Sequence, residues 1–251
     1  MALNHAFLIT AHAYPEQLKD IVGLLSAPNH YFFINIDRKA KWGHKFMDEN
    51  RSAHIHFLEG NEQMEVSHGG YSQIAVTLRL LHVAYRYGGE MTYFHFISGQ
   101  DYPIHPNKVF DEYFEQNEGR SFMAIESDEY NRESMKKKYP SRVLPYYFSD
   151  IPYRNNKLVN FMVRGLNFIS KRIWWRKPIP GLWGGGIGFH GIVVWLSLFL
   201  SKKRVILLFS NGFNILVVVM NSFFRHFFMV MRRNLILMVN IHYVILIGIK
   251  K

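Results

Sequence analysis

The sequence predicts an α/β fold with a mostly parallel sheet, and two observations support that prediction. Over residues 1–125, short runs rich in aromatic and branched apolar residues alternate with segments whose apolar residues recur at helical spacing. Strands that alternate with helices are typical of parallel sheets, because each crossover needs a dozen or more residues. In addition, several predicted strands end in short polar turns, which is where open α/β sheets bind their ligands.

The predicted elements follow one another along the first 125 residues. Apolar runs predict five strands, at residues 6–12, 31–36, 54–58, 93–97 and 121–125. Helical spacing predicts three helices, the first opening at residues 14–17, the second following Ser72 and the third near residues 106–117. The second helix has Arg79 and Arg86 outside an apolar stripe formed by Ile74, Leu78, Leu81, Val83 and Ala84.

The turn after the fourth predicted strand is the most informative segment of the chain. It reads Ser98-Gly99-Gln100-Asp101-Tyr102-Pro103, so a hydroxyl and a carboxylate follow a buried strand and a proline prevents further ladder bonding. One interpretation is a ligand site at the carboxyl end of the sheet. The other is an ordinary turn in which Asp101 caps neighbouring backbone N–H groups. The sequence leaves both interpretations open.

Other predicted strands and turns carry similar residues. His12 closes the first strand, Asp37 follows the second, and the Gly69-Gly70 turn precedes the second helix. Short turns of this composition can hydrogen-bond a ribose or a base, and glycines let backbone N–H groups approach a diphosphate. We therefore expect a nucleotide-type ligand. The sequence has no phosphate-binding loop, no dinucleotide fingerprint and no Asp-x-Asp of the kind that holds a metal–diphosphate complex.

Taken in order, these residues resemble the core-2/I-branching N-acetylglucosaminyltransferase and peptide O-xylosyltransferase family (glycosyltransferase family 14). The matching stretches are residues 5–12, 34–39, 66–72, 94–104 and 121–123. The resemblance implies a GT-A-like nucleotide-sugar fold. It also implies metal-independent, inverting transfer of GlcNAc or xylose from a UDP-sugar to a hydroxyl of a glycan or polysaccharide acceptor, with no cofactor and no bound metal.

The resemblance also implies roles for residues at the strand ends. Asp37 holds the uridine, residues 66–70 line the nucleotide pocket, and Ser98 with Asp101 shapes the floor of the donor site. The chain departs from the family at His68, because the family has Trp before the paired glycines; an imidazole can still stack or donate, and the alternative is a solvated turn residue. The implied donor-binding set is His12, Asp37, Val66, His68, Gly69, Ser98 and Asp101.

Composition and charge indicate which binding partners and which cellular compartment to expect. The net charge is +11, but residues 1–184 hold 22 Lys and Arg against 19 Asp and Glu, whereas residues 185–251 hold 8 basic residues and no acidic ones. These basic residues sit between apolar runs and form no basic face, so nucleic-acid binding is not expected.

The aromatic and basic residues 171–177 favour contact with a membrane surface. The absence of cysteine and of a recognisable secretory signal favours a bacterial-style cytoplasmic enzyme, peripheral at the inner membrane face.

The character of the chain changes near residue 185. We therefore divide it into an incomplete glycosyltransferase domain, residues 1–184, and a basic hydrophobic tail, residues 185–251. Residues 205–224 are uncharged and about as long as a membrane span, although asparagines and serines interrupt them. An alternative is therefore that the chain is a membrane-associated non-enzymatic protein, with a hydrophobic C-terminal hairpin and an N-terminal domain that senses a ligand.

A second interpretation is that the tail is translated out of frame, through a sequencing error or a true frameshift. Read from the third base of each codon, residues 185–191 can encode W-D-W-F-S-W, residues 219–228 D-E-L-F-F-Q-T-L-L, and residues 244–248 Y-F-D-W or Y-I-D-W. The family has three such signatures in this order, and by resemblance its catalytic Glu lies in the second. The catalytic residue is therefore expected to be missing from this polypeptide, and the sequence favours neither Asp101 nor Glu126 as a substitute base.

Overall fold

A central parallel sheet organises the protein. The computed structural model describes residues 3–67, 70–87, 91–120, 122–125, 145, 148 and 156–173. It also describes the backbone of five later strands between residues 185 and 246. The four parallel strands are β1 (Asn4–Ala11), β2 (His30–Ile36), β3 (Ile55–Phe57) and β4 (Met91–Ser98). They lie in the order β3-β2-β1-β4. The predicted α/β fold with a mostly parallel sheet is confirmed, and it is consistent with a GT-A-like domain.

Five helices accompany the strands in the described part of the chain. They are α1 (Pro15–Leu25), α2 (Gly43–Glu49), α3 (Ser72–Arg86), α4 (Asn107–Gln116) and α5 (Lys157–Ile173). The three predicted helices correspond to α1, α3 and α4. In α3 the buried stripe includes Val76 and Leu80, whereas Leu78 and Val83 of the predicted stripe are only half-buried.

Each face of the sheet packs against its own set of helices, because successive side chains of a strand point to opposite faces. Ala6 and Leu8 of β1 face α3 and pack with its buried residues. Phe7, Ile9 and Ala11 face the other way, into a core shared with α1 and α2. The strands buried on both faces explain the continuous apolar runs in the sequence.

The later strands extend the sheet with antiparallel pairs. β5 (Phe122–Ile125) and β4 both pair with β6 (Gly185–Ile192), and β7 (Val205–Ser210) pairs with β8 (Asn214–Val219). A separate antiparallel pair consists of β9 (Leu237–Asn240) and β10 (Tyr243–Leu246). Among the described residues, no helix combines the length and the apolar character that crossing a bilayer requires.

Candidate functional site

The parallel register brings three strand ends to one edge of the sheet, here called the rim. Thr10 of β1 pairs with Asn35 of β2 and with Ser98 of β4. Beyond the last paired residues, Asp37 donates its N–H to the Ala11 carbonyl at 2.7 Å, and Gly99 donates its N–H to the Thr10 carbonyl at 2.8 Å. The turns that start at Asp37 and Gly99 therefore lie on either side of the end of β1.

The carboxylate of Asp37 is buried and organises the β2 side of the rim. Oδ1 accepts the backbone N–H of Lys39 at 2.9 Å, and Oδ2 accepts the backbone N–H of Val66 at 3.1 Å. Lys39 Nζ lies 3.7 Å from Asp37 Oδ2 and donates to the Val66 carbonyl at 2.8 Å. Charge-assisted bonds of this kind are stronger than neutral ones. Asp37 thus fixes the position of Val66, which lies 29 residues later in the chain.

A second set of polar side chains holds the segment around Met64 against the end of β2. Asn35 is 1% exposed, and its side chain donates to the Met64 carbonyl at 3.2 Å and accepts the Met64 N–H at 2.9 Å. Gln63 is also buried and donates from Nε2 to the Ile36 carbonyl at 3.0 Å. Arg38 donates to the carbonyls of Gly60 and Gln63.

The sequence analysis did not predict this set of contacts, which involves Asn35, Arg38, Gln63 and Met64. A signal for it exists, because Asn35 interrupts an otherwise apolar buried strand and a buried amide requires partners for its donors and acceptor.

The turn after β4 is a compact capped turn. Asp101 Oδ2 accepts the backbone N–H of Ser98 at 2.6 Å, and the Ser98 hydroxyl accepts the N–H of Gln100 at 3.2 Å. The Asp101 N–H donates to the Ser98 carbonyl at 3.2 Å. Of the two interpretations of this segment, the capping one describes what Asp101 does in the structure, and a ligand role for the exposed side of the turn remains a prediction.

The same turn is tied to α1 through two side chains. Gln17 Nε2 donates to the Gln100 carbonyl at 3.2 Å, and the Tyr102 hydroxyl donates to Asp20 Oδ2 at 3.2 Å. Desolvation first, and the neighbouring Asp20 carboxylate second, raise the pKa of Tyr102. Tyr102 is therefore a neutral hydrogen-bond donor near pH 7.

Of the other residues predicted to bind the donor sugar nucleotide, two lie in the described part of the chain and two do not. His12 follows β1 and is exposed at the rim. Val66 leads into a turn in which the Ser72 hydroxyl accepts the N–H of Ser67 at 2.8 Å. His68 and Gly69 lie outside the described residues, so their roles stay predictions.

The residues of the rim are better suited to binding a ligand than to acting as a general base. Both rim carboxylates, Asp37 and Asp101, accept backbone N–H groups. Exposed tyrosines lie in the segments before α1, before α3 and after β4, with Tyr14, Tyr71 and Tyr102 respectively 62%, 64% and 47% exposed. Such rings present apolar faces with a polar tip, which suits a ligand with a flat base and several hydroxyls.

Comparison with known proteins identifies the family. The family model described as Core-2/I-Branching enzyme matches residues 5–177, more than half of the chain. No curated protein matches the chain in sequence. The matched region begins at the second residue of β1 and extends through the rim to α5, so it covers every described element before β6 apart from that first residue. The chain belongs to the Core-2/I-Branching enzyme family, a family of glycosyltransferases.

Proposed function

We propose that this polypeptide carries the donor-binding part of an inverting glycosyltransferase that moves GlcNAc or xylose from a UDP-sugar to a hydroxyl of a glycan or polysaccharide. The observation that carries the proposal is the register that brings Asp37 and Asp101 to one rim, on either side of β1. Ligands of open α/β sheets bind at such a rim. Family membership supplies the class of reaction.

In the proposed donor site, Asp37 has two tasks. It fixes the Val66 segment, and because each carboxylate oxygen has a second lone pair it can also accept a hydrogen bond from the uridine. The Ser98–Asp101 turn forms the floor beneath the sugar. The full donor-binding set is the one that the resemblance implies, namely His12, Asp37, Val66, His68, Gly69, Ser98 and Asp101.

The transfer step requires a group that the rim does not supply. The acceptor oxygen bonds to the anomeric carbon from the side opposite UDP, the bond to UDP breaks, and a base takes the hydroxyl proton. Asp37 and Asp101 already accept backbone N–H groups, so we assign the base to neither. The resemblance places the catalytic Glu in a signature that this polypeptide lacks. We therefore propose that the chain is out of frame from about residue 185 and binds the donor without transferring the sugar.

The end of the family match supports that boundary. The match stops at residue 177, a few residues before the proposed boundary near residue 185. We propose residues 1–184 as the incomplete transferase domain and residues 185–251 as the out-of-frame tail. Sequencing the coding DNA around codons 181–190 tests this directly: we expect third bases that allow the W-D-W-F-S-W reading, and third bases that forbid it would refute the frame hypothesis. A chain made from the repaired frame is expected to transfer sugar.

We further propose that the protein lies in the cytoplasm, against the inner face of a membrane. Helix α5 supports this, because Phe161 and Ile173 are 76% and 69% exposed while Lys171 and Arg172 lie in its last turn. Exposed apolar residues beside basic ones are typical of helices that lie in an anionic membrane interface. Sedimentation of the chain with vesicles containing anionic lipid, compared with neutral vesicles, tests this part of the proposal.

Calorimetric titration of the full chain with UDP, UDP-GlcNAc and UDP-xylose tests the donor site. We expect weak binding of UDP that Asp37→Asn abolishes and that the matched control Asp48→Asn, an exposed carboxylate on α2, leaves unchanged. Circular dichroism shows whether Asp37→Asn remains folded. Undiminished affinity in a folded Asp37→Asn chain would remove Asp37 from the site. Absence of binding in the parent chain would favour the non-enzymatic membrane protein with a C-terminal hairpin.

A further inference from the structure

A cluster of buried histidines lies at the opposite end of the strands from the rim. His5 is the second residue of β1, His30 opens β2 and pairs with His5, and His95 lies in β4; all three are fully buried. Asp111 of α4 completes the cluster and is one-quarter exposed. Ala11 follows His5 by six positions in an extended strand, which places the cluster about 20 Å from the rim.

Three ligand atoms of this cluster converge. His30 Nε2 lies 2.8 Å from Asp111 Oδ1, and His5 Nε2 lies 3.8 Å from the same oxygen. One ligand atom from each of His5, His30 and Asp111 lies within 4.8 Å of the other two. In a tetrahedral zinc site with ligands at about 2.0–2.1 Å, neighbouring ligand atoms are roughly 3.3 Å apart. Movements of about an ångström would therefore bring the three atoms into zinc geometry.

The hydrogen-bond partners of the two outer ring nitrogens allow the tautomers that metal binding requires. His30 Nδ1 lies 2.6 Å from the Leu25 carbonyl, an acceptor, so Nδ1 carries the hydrogen and a neutral ring has its lone pair on Nε2. His5 Nδ1 lies 2.8 Å from His95 Nε2, and donation from His5 leaves the His5 lone pair on Nε2 as well. Metal-ligating histidines generally donate their other N–H to a carbonyl, a carboxylate or another acceptor.

His5 Nε2 gives the second, independent indication. It is buried, and within the described part of the chain no group hydrogen-bonds to it. A buried polar atom without a partner is costly, and here its lone pair faces a carboxylate and a second imidazole. A hydrogen bond joins His30 Nε2 to Asp111 Oδ1, whereas His5 Nε2 beside them has no such partner among the described residues. A metal ion in place of the shared His30 proton would bind all three groups and give His5 Nε2 a partner.

We propose that His5, His30 and Asp111 bind one divalent transition-metal ion, of which Zn²⁺ is the best match. Two imidazole nitrogens and one carboxylate oxygen form a ligand set that suits zinc. Asp111 gives the cluster contact with solvent, from which the ion enters and a water completes the coordination. The ion joins the first residues of β1 and β2 to α4, so its role is to stabilise the domain. Because it lies far from the rim, it is compatible with metal-independent sugar transfer.

Zinc binding by the full chain tests the proposal. Dialysis of chelator-treated protein against ZnCl2, followed by metal analysis, is expected to give one equivalent of tightly bound zinc and a higher melting temperature. Asp111→Asn keeps the volume of the side chain and an oxygen towards His30, so it separates metal binding from packing. We expect it to weaken zinc binding at least about 100-fold, since loss of a directly bound ligand should exceed the 10–100-fold effect of outer-shell changes. Glu112→Gln, an exposed neighbour on α4, is the matched control and should bind as the parent does.

Cobalt gives a readout that does not depend on stability. Co²⁺ in place of zinc should show the visible absorption of a tetrahedral site in the parent and in Glu112→Gln, and Asp111→Asn should lack it. Circular dichroism verifies that Asp111→Asn is folded. Either of two results would overturn the proposal: no stoichiometric zinc in the parent chain, which would mean that protons alone occupy the cluster, or unchanged zinc affinity in Asp111→Asn, which would place the metal elsewhere.

Discussion

Gly99 lies so close to Ala11 that a Cβ at residue 99 would be 2.8 Å from the Ala11 Cβ and 3.3 Å from its Cα. The Gly99 N–H also bonds to the carbonyl of Thr10. The end of β1 and the turn after β4 are therefore in backbone contact, and no side chain fits between them. The glycine of the Ser-Gly-x-Asp turn is required by this contact.

We predict that Gly99→Ala destabilises the protein by about 1–3 kcal/mol, because overpacking forces the backbone apart. Gly23→Ala in α1 is the matched control, since nothing lies within 4 Å of the Cβ it would add. In a helix that change should stabilise by about 0.5–1 kcal/mol. Urea unfolding of both variants measures the difference, and equal stabilities would contradict the close approach.

Removing the Asn35 amide should open the rim on its β2 side. Asn35→Ala leaves the N–H and the carbonyl of Met64 without their partner, which costs about 1–3 kcal/mol in the free energy of unfolding. The Val66 segment follows directly, so UDP affinity should fall as well. Asn61→Ala, at an exposed turn position, should stay within about 0.5 kcal/mol of the parent. Chemical denaturation together with calorimetric titration tests both effects.

Two substitutions of Asp101 distinguish capping from direct contact with the donor. Asp101→Asn keeps an oxygen that can accept the Ser98 N–H, whereas Asp101→Ala does not. If the carboxylate acts as a cap, the Asn variant should bind UDP within about threefold of the parent, and the Ala variant should lose about tenfold, the equivalent of one hydrogen bond. Equal losses in the two variants would instead indicate that the charge of Asp101 contacts the ligand.

Acid should weaken the metal-free protein through His5. Burial, and secondarily the neighbouring His30, lower the pKa of His5 to about 4 from the ordinary 6.5, while Asp111 acts in the opposite direction. Between these pH values the unfolded chain binds more protons than the folded one, so stability falls as the pH drops from 6.5 towards 4. The full shift corresponds to roughly 3 kcal/mol.

Urea unfolding of chelator-treated protein at several pH values measures this dependence. His5→Gln should flatten the curve between pH 6.5 and 4, and the exposed His44→Gln on α2 should not. A parent curve that already matches His5→Gln would show that His5 is protonated in the folded state.

The strands were predictable because their signal is local. β1, β2 and β4 are largely buried on both faces, so apolar residues dominate them and only a few polar residues interrupt the runs. Helix α2 was missed because it has only seven residues and no side-chain cap. Helix α5 was missed although a capping residue precedes it: Asn156 accepts the N–H groups of two residues in its first turn.

The polar arrangements were harder to predict, because they depend on the register between strands. The sequence indicated that Asp37 and Asp101 follow strands, and the parallel pairing brought both to one rim. It did not indicate that Asp37 bonds to Val66, since nothing local relates residues 29 positions apart. His5 and His30 likewise become neighbours only once β1 and β2 are aligned.

The rim also has a consequence for when the protein can recognise its ligand. Its walls come from three stretches of chain, around residues 37, 66 and 99, joined only by long-range bonds. A partly collapsed chain with its helices formed would still lack the assembled rim, because bringing distant segments together is entropically costly and happens late in folding. Nucleotide affinity should thus report complete folding, appearing only when β1 has acquired both of its neighbours.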